Sequence, residues 1–191
     1  MKQQQLAKTG YLMISVVFYI AGAAHILLPE PSPPALCAIS GIVLVAYGVI
    51  KIIGYFSKDL YCLAFQYDLA CGIFLIVFGI ITLARSQQII PHLSVGLGAL
   101  ILLDSLLSIQ MSRDAKQFGL ETWYVILAAS IAAGIFGGVV IIGPFPTARG
   151  RHIAAGCALL AQGMKSHCVV HYTVNTLSRR AEEPDVNGGP F

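Results

Sequence analysis

The stretch ALCAISGIVLVAYGVIKIIGYF, residues 35–56, is apolar almost throughout and has a single charged side chain, Lys51. An α-helix needs about 20 mainly apolar residues to cross the hydrocarbon core of a bilayer, where its backbone must satisfy its own hydrogen bonds. The segment before it, PEPSPP at residues 29–34, cannot continue a helix. The stretch therefore predicts a transmembrane helix with a sharp start.

Runs of the same kind flank this stretch. Four more are long and apolar enough to cross a membrane: residues 10–28, 62–83, 93–109 and 123–142. A last run, 152–177, is weaker because it contains five polar side chains: Gln162, Lys165, His167, His171 and Asn175. It can span only if its polar face turns into the bundle. We predict an all-α, polytopic membrane protein with six transmembrane helices.

The overall composition agrees with a lipid environment. Hydrophobic residues make up 57% of the chain and charged residues 11%, against about 25% charged residues in soluble domains. The net charge is +3 and the basic residues are scattered, which argues against nucleic-acid binding. The five cysteines form no CxxC pair and are interpreted as small apolar residues.

Lysine and arginine positions predict the orientation. Seven basic residues fall on the side of the N-terminus: Lys2, Lys8, Lys58, Arg113, Lys116, Arg179 and Arg180. Three fall on the other side: Arg85, Arg149 and Arg151. The positive-inside rule then places both termini in the cytoplasm. Tyr11, Tyr67 and the pair Trp123–Tyr124 are expected in the headgroup layer at that side.

The chain contains an internal repeat. Offsets of 57 and then 58 residues align small residues in three pairs of helices. In the odd-numbered predicted helices, which are the first, third and fifth, the aligned sets are Ser15, Gly72, Ser130 and Gly22, Gly79, Gly137. In the even-numbered predicted helices, which are the second, fourth and sixth, the aligned sets are Gly41, Gly98, Gly156 and Gly48, Ser105, Gly163. Members of each pair lie seven residues apart, on one helix face, where small residues let helices approach closely.

The repeat divides the chain into three two-helix units, at residues 10–59, 60–117 and 118–178. Residues 1–9 form a cytoplasmic N-terminus, and residues 179–191 a cytoplasmic tail that we expect to be disordered. Because each unit crosses the membrane twice, successive units enter from the same side and are parallel repeats.

The segments Gly41–Asp59 and Tyr67–Leu83 resemble the short membrane repeat of HdeD-type acid-resistance proteins. The resemblance covers residues 10–178, and the last helix departs from the pattern because Lys165, His167 and His171 intrude. The resemblance implies a bacterial protein of the inner membrane, linked to acid and general stress. It implies no catalytic residues.

Asp104 is the sharpest candidate for a functional residue, because ionisable side chains at membrane depth are costly. The repeat offsets align it with Tyr47 and Gln162, one polar side chain in each even helix. If these helices line a common axis, the three form a polar cluster. Lys51 and Lys165 lie about one turn further along and are candidate partners for Asp104. The cluster is either a proton or ion path, or a neutralised pair that locks helix packing.

Histidines offer two further candidate sites. His25, His92 and His152 lie near the outer ends of their helices, and imidazole changes charge between about pH 5 and pH 8. They are candidate pH-responsive groups. His167 and His171 have the i, i+4 spacing of metal ligands, but nothing in the sequence completes the set, so no metal is predicted.

The sequence carries no phosphate-binding loop, no serine–histidine–aspartate spacing and no HExxH motif. We therefore expect a non-enzymatic membrane protein without a cofactor, and the resemblance to HdeD-type proteins implies the acid-resistance or stress type. Its expected partners are membrane lipid and, in a homo-oligomer, other copies of the chain. The alternative is a small transporter or channel that uses Asp104 with Lys51 and Lys165. Six helices leave little room for a pore, so a channel needs several subunits.

Overall fold

The computed structural model describes residues 2–27, 33–56, 68–89, 92–117, 119 and 121–174. Within these ranges the chain forms α-helices and no strand. The helices are α1 Lys2–Leu27, α2 Pro33–Tyr55, α3 Asp68–Ala84, α4 Ser86–Ile89, α5 Leu93–Gln117, α6 Trp123–Ile142 and α7 Ala148–Val169. A π-helical turn, Val170–Val174, continues α7. The prediction of an all-α protein is confirmed.

Five of these helices, α1, α2, α5, α6 and α7, are long and apolar enough to cross a membrane. The third predicted run, residues 62–83, is represented by α3, which is apolar but only 17 residues long in its described part. Large apolar side chains point away from the bundle; Met13 and Ile20 of α1 are 66% and 65% exposed. The chain is a multi-pass membrane protein whose outer surface suits lipid.

Within the described residues, the helix bounds differ most from the predicted runs at three places. α1 begins at Lys2 instead of residue 10, and α5 continues to Gln117, through half of the expected linker. α7 begins at Ala148 instead of residue 152, where the Thr147 hydroxyl accepts a hydrogen bond from the Gly150 amide. Hydropathy marks only the part of a helix that lies in lipid, whereas polar residues extend the helix beyond it. The predicted tail, residues 179–191, lies outside the described residues.

The six long helices form a ring in the order α1, α2, α3, α5, α6, α7, and α7 packs back against α1. Three of the neighbouring pairs pack most extensively: α2 with α3, α5 with α6, and α7 with α1. In each pair, the second helix of one repeat unit packs against the first helix of the next unit, and the third unit is followed by the first. The tightest packing therefore joins consecutive units rather than the two helices of one unit.

Small residues form the contact between α2 and α3. A Cβ atom placed on Gly48 would lie 2.6 Å from the Gly72 carbonyl oxygen, and one on Gly72 would lie 2.8 Å from the Gly48 carbonyl oxygen. Gly41 and Gly79 face each other in the same way two turns away. The two backbones are thus in direct contact, which only glycine permits at these positions.

The other two tight pairs repeat this contact. Gly98 of α5 faces Gly137 of α6, and Gly156 of α7 faces Gly22 of α1, again at the carbonyl oxygen. A Cβ atom on Gly163 would lie 3.1 Å from the Ser15 carbonyl oxygen. Ser105 and Ser130, the remaining two of the twelve aligned positions, are also buried. The structure thus places all twelve aligned small residues inside the bundle.

Candidate functional site

The second helix of each repeat unit, α2, α5 or α7, contributes one polar side chain to a single level of the bundle, which we call the polar layer. These side chains are Tyr47, Asp104 and Gln162. The Tyr47 hydroxyl donates a hydrogen bond to Asp104 Oδ2 at 3.1 Å. The Gln162 amide donates to the same oxygen at 2.5 Å and to the Tyr47 hydroxyl at 3.2 Å. The three side chains are 2–3% exposed. The polar cluster expected from the repeat therefore exists as a network of direct hydrogen bonds.

Both candidate lysines pair with Asp104. The Lys51 ammonium lies 2.9 Å from Asp104 Oδ1, and the Lys165 ammonium forms an ion pair with Asp104 Oδ2. Lys51 follows Tyr47 by four residues and Lys165 follows Gln162 by three, so each lysine lies on the same helix face as its polar-layer residue. Asp104 thus receives one cation from α2 and another from α7.

A second carboxylate, Asp68 at the start of α3, completes the group. Its Oδ1 atom lies 2.6 Å from the Lys51 ammonium, and its Oδ2 atom accepts a hydrogen bond from the Tyr11 hydroxyl of α1. Lys51 therefore stands between two carboxylates. The Cys71 thiol, one turn along α3 from Asp68, lies 3.4 Å from Asp104 Oδ1 as a hydrogen-bond donor.

We call these eight residues the charge cluster; they are Tyr11, Tyr47, Lys51, Asp68, Cys71, Asp104, Gln162 and Lys165. Two ammonium groups balance two carboxylates, so the cluster is neutral overall when all four groups are ionised. The four charged side chains are 2–7% exposed and come from α2, α3, α5 and α7, while Tyr11 adds α1. Removing one charge from such a set leaves its partner unpaired in a low-dielectric interior, which is strongly unfavourable.

Aromatic rings surround the Lys51 ammonium. Its nitrogen lies 5.1 Å from the centre of the Tyr47 ring and 5.6 Å from that of the Tyr11 ring, distances at which a cation is attracted to a ring. Phe18 packs edge-on against Tyr47, with ring centres 5.1 Å apart. These contacts fix the position of Lys51 between the two carboxylates.

Two small cavities border the polar layer on opposite sides. One, of about 20 Å³, is lined by several polar and charged side chains, among them Tyr11, Lys51, Asp68, Lys165 and Ser166, together with Met111 and Val169, and we call it the polar cavity. The other, also about 20 Å³, is mostly apolar and lies among Phe18, Leu44, Leu97, Ile101 and Leu159. Each volume is enough for about one water molecule, but a water needs polar partners, which only the first cavity supplies in number.

Asp68, Tyr11 and Cys71 belong to the site although the sequence did not suggest them. A signal existed, because the repeat offset of 57 residues places Asp68 at the position of Tyr11. The sequence placed Tyr11 in the headgroup layer, whereas in the structure it faces the bundle interior, is 3% exposed and donates a hydrogen bond to Asp68. The position of Tyr11 along the helix predicts its depth, but the side of the helix that packs against the bundle cannot be predicted from depth. Tyr124 is 59% exposed, and Tyr67 lies outside the described residues.

The histidine candidates fall into separate places. His25 of α1 and His152 of α7 lie close together, with ring centres 6.1 Å apart, and His25 Nδ1 lies 2.8 Å from the Ala21 carbonyl oxygen. Both are partly buried, whereas His92 is exposed at the start of α5. The structure therefore pairs two of the three candidates across the contact that closes the ring.

His167 and His171 lie on the exposed side of the last helical turns, with ring centres 6.2 Å apart. Their exposure contradicts the expectation that every polar side chain of this helix faces inward; Gln162 and Lys165 do so, and the two histidines do not. In the described part of the chain, no three His, Cys, Asp or Glu side chains are grouped to hold a metal ion.

Comparison with known proteins adds one finding. Residues 13–84 match a family described as a short repeat of unknown function, DUF308. The matched segment starts in α1 and ends with the last residue of α3, so this repeat supplies Tyr47, Lys51, Asp68 and Cys71 of the charge cluster. No curated protein and no solved structure matches the chain. The match agrees with the expected membrane repeat, and with the apolar helices it describes an integral membrane protein.

Proposed function

We propose that the protein is a non-enzymatic membrane protein of the acid-resistance or general-stress type, in the inner membrane of a bacterium. Both termini lie in the cytoplasm in this proposal. The match to a short membrane repeat and the resemblance to HdeD-type proteins support the class. The observation that carries the proposal is the charge cluster, because its neutrality depends on the protonation of its carboxylates.

The position of the cluster supports a structural role in the membrane. Asp104 of α5 is bound by Lys51 of α2 and by Lys165 of α7, and Lys51 also binds Asp68 of α3. Charges inside a bilayer almost always pair with one another. These ion pairs hold four helices that the small-residue contacts join only two at a time. The cluster is thus suited to fix the closed arrangement of the bundle.

Survival after acid shock tests this proposal. A strain that lacks the gene is complemented with the wild-type chain, with Lys165→Met, or with Glu121→Gln as a control. Glu121 is exposed in the segment before α6, so its loss of charge leaves the cluster intact. We expect the wild type and the control to restore survival and Lys165→Met to fail. Equal survival with and without the gene would contradict the proposal.

The second candidate function is a small transporter or channel that uses Asp104 with Lys51 and Lys165. The two cavities on opposite sides of the polar layer favour it, because together they border the layer from both directions along the bundle. A conducting protein would need the polar layer to open or to pass protons along its hydrogen bonds. Proton flux into liposomes separates this function from a purely structural one.

A further inference from the structure

The two carboxylates of the charge cluster have unequal shares of positive charge. Asp104 is bound by two ammonium groups, an amide, a phenol and a thiol. Asp68 is bound by the Tyr11 hydroxyl and by Lys51, which it shares with Asp104. Asp104 therefore has a cation of its own in Lys165, and Asp68 has none.

The consequences of neutralising each carboxylate differ for this reason. If Asp68 takes up a proton, Lys51 keeps Asp104 as its partner, and Lys165 is unaffected. If Asp104 takes up a proton instead, the buried ammonium group of Lys165 loses the carboxylate with which it pairs. An unpaired buried charge is far more costly than a neutral carboxylic acid. Geometry thus favours Asp68 as the place where a proton is added.

We infer that Asp68 is a reversible proton-binding site, and that Lys51 moves its ion pair fully to Asp104 when the proton binds. A hydronium ion delivers the proton, an O–H bond forms on the Asp68 carboxylate, and a water molecule is left. Lys51 and Lys165 keep all their protons, so the cluster changes from neutral to one positive charge. Release to water reverses the step. The inference rests on the proposed function only for its biological purpose.

The groups that face Asp68 come from every helix that borders the polar cavity. They are Tyr11 of α1, Tyr47 and Lys51 of α2, Cys71 of α3 itself, Asp104 of α5 and Lys165 of α7. Of these, Lys51 is the nearest cation, at 2.6 Å. Its 2.9 Å distance to Asp104 means that the shift of the ion pair requires no movement of a helix.

The polar cavity gives the proton a place from which to arrive. It borders Asp68 directly and has room for about one water molecule with several polar partners. Ser108 and Ser166 add hydroxyl groups to its wall. Asp68 contacts Tyr11, near the start of the apolar span Thr9–Leu27, and Lys51, one turn before the end of the span Ala35–Tyr55, so it lies toward that end of the bundle. This is the cytoplasmic end in the proposed orientation.

Infrared difference spectroscopy of the full chain in liposomes tests the inference. The carbonyl stretch of a protonated carboxyl group is recorded while the pH is lowered from neutral. We expect a band that disappears in Asp68→Asn and persists in Asp114→Asn, which removes a carboxyl group of α5 outside the cluster. The inference would be overturned if the wild type and Asp68→Asn showed the same carboxyl bands.

A variant that keeps all four charges protects the test against a substitution that fails to fold. Tyr11→Phe removes one donated hydrogen bond from the ionised Asp68 carboxylate and should move the midpoint of the band upward, on the order of one pH unit. Asp104→Asn leaves Asp68 facing both lysines and should move the midpoint downward. Loss of the band in Asp104→Asn with no change in Asp68→Asn would make Asp104 the proton site and refute the inference.

The spectroscopic result is independent of survival. A band assigned to Asp68 together with unchanged acid survival would leave the proton site standing and remove the proposed function. Acid survival that requires the gene, together with no Asp68 band, would keep the function and remove the proton site.

Discussion

Tyr47 donates a hydrogen bond to Asp104 at 3.1 Å, and these two residues are 57 positions apart, which is the repeat offset. Gln162, another 58 positions along, binds the same Asp104 oxygen. Side chains at equivalent positions of successive units touch only where the units meet around a common axis. The polar layer therefore marks the centre of the three-unit bundle.

The contacts between glycines predict where the bundle is least tolerant of added volume. Gly48→Ala places a methyl group 2.6 Å from a backbone oxygen of α3, which cannot move without moving the helix. We expect a loss of about 1–3 kcal/mol in the free energy of unfolding, as for other overpacked interiors. Denaturation in detergent micelles measures it.

Gly138→Ala is the matched control for this variant, because an added Cβ at Gly138 has no atom within 4 Å. It should leave stability unchanged or raise it, since alanine favours helix by about 1 kcal/mol over glycine. Equal destabilisation by the two substitutions would show that α2 and α3 do not approach at Gly48.

The balance of charge predicts how the cluster responds to substitution. Lys165→Met leaves Asp104 with one ammonium group and the cluster with excess negative charge. Breaking a buried ion pair in this way costs about 3–5 kcal/mol. Lys165→Met combined with Asp104→Asn restores neutrality, so the double variant should lose less stability than the sum of the single variants. Strict additivity in the unfolding data would show that the two side chains do not interact.

The transporter alternative predicts a loss of flux, which is measured on folded protein because removing the Asp104 charge also destabilises the bundle. Asp104→Asn keeps the size of the side chain and removes the charge that both lysines bind. In liposomes with a pH gradient, we expect the wild type to acidify the lumen and the variant to remain at the background rate. Ser130→Ala, a buried change at a residue outside the charge cluster, serves as the control. If the wild type carried neither protons nor ions, the transport function would be ruled out and only the structural role would remain.

The outer histidines predict a dependence on acid from the other end of the bundle. His25 and His152 face each other across the contact between α1 and α7, with ring centres 6.1 Å apart, and they are the two candidate pH-responsive groups that the structure brings together. We expect replacement of His25, His92 and His152 by Gln to reduce survival after acid shock. Replacement of His167 and His171 is the control, and unchanged survival of the triple variant would remove the histidines from the acid response.

The sequence predicted much of this architecture because the bilayer imposes simple requirements. Length and hydropathy identified the crossings, and the repeat offset identified Tyr47, Asp104 and Gln162 as equivalent in depth. Equal depth was enough to predict that these three side chains meet, since α2, α5 and α7 turn the same face toward the axis. Lys51 and Lys165 followed because they lie one turn away on that face.

The remainder depended on which helices become neighbours. The pairing of Gly41 with Gly79, rather than with a residue of its own unit, cannot be derived from the repeat, because equal units can pack in either way. Asp68 was missed for the same reason: it joins the cluster only because α3 packs against α2. The rotation of a helix about its own axis follows from packing and not from hydropathy.

The contact between Gly22 of α1 and Gly156 of α7 has a consequence for how the protein is made. The ribosome delivers α1 before α7, so α1 must wait in the bilayer for this partner until α2 to α6 have been made. During that interval Asp104 lacks the cation of Lys165. Insertion of α7 therefore both closes the ring of helices and supplies the charge that Asp104 needs, so a chain truncated before α7 should be unstable in the membrane.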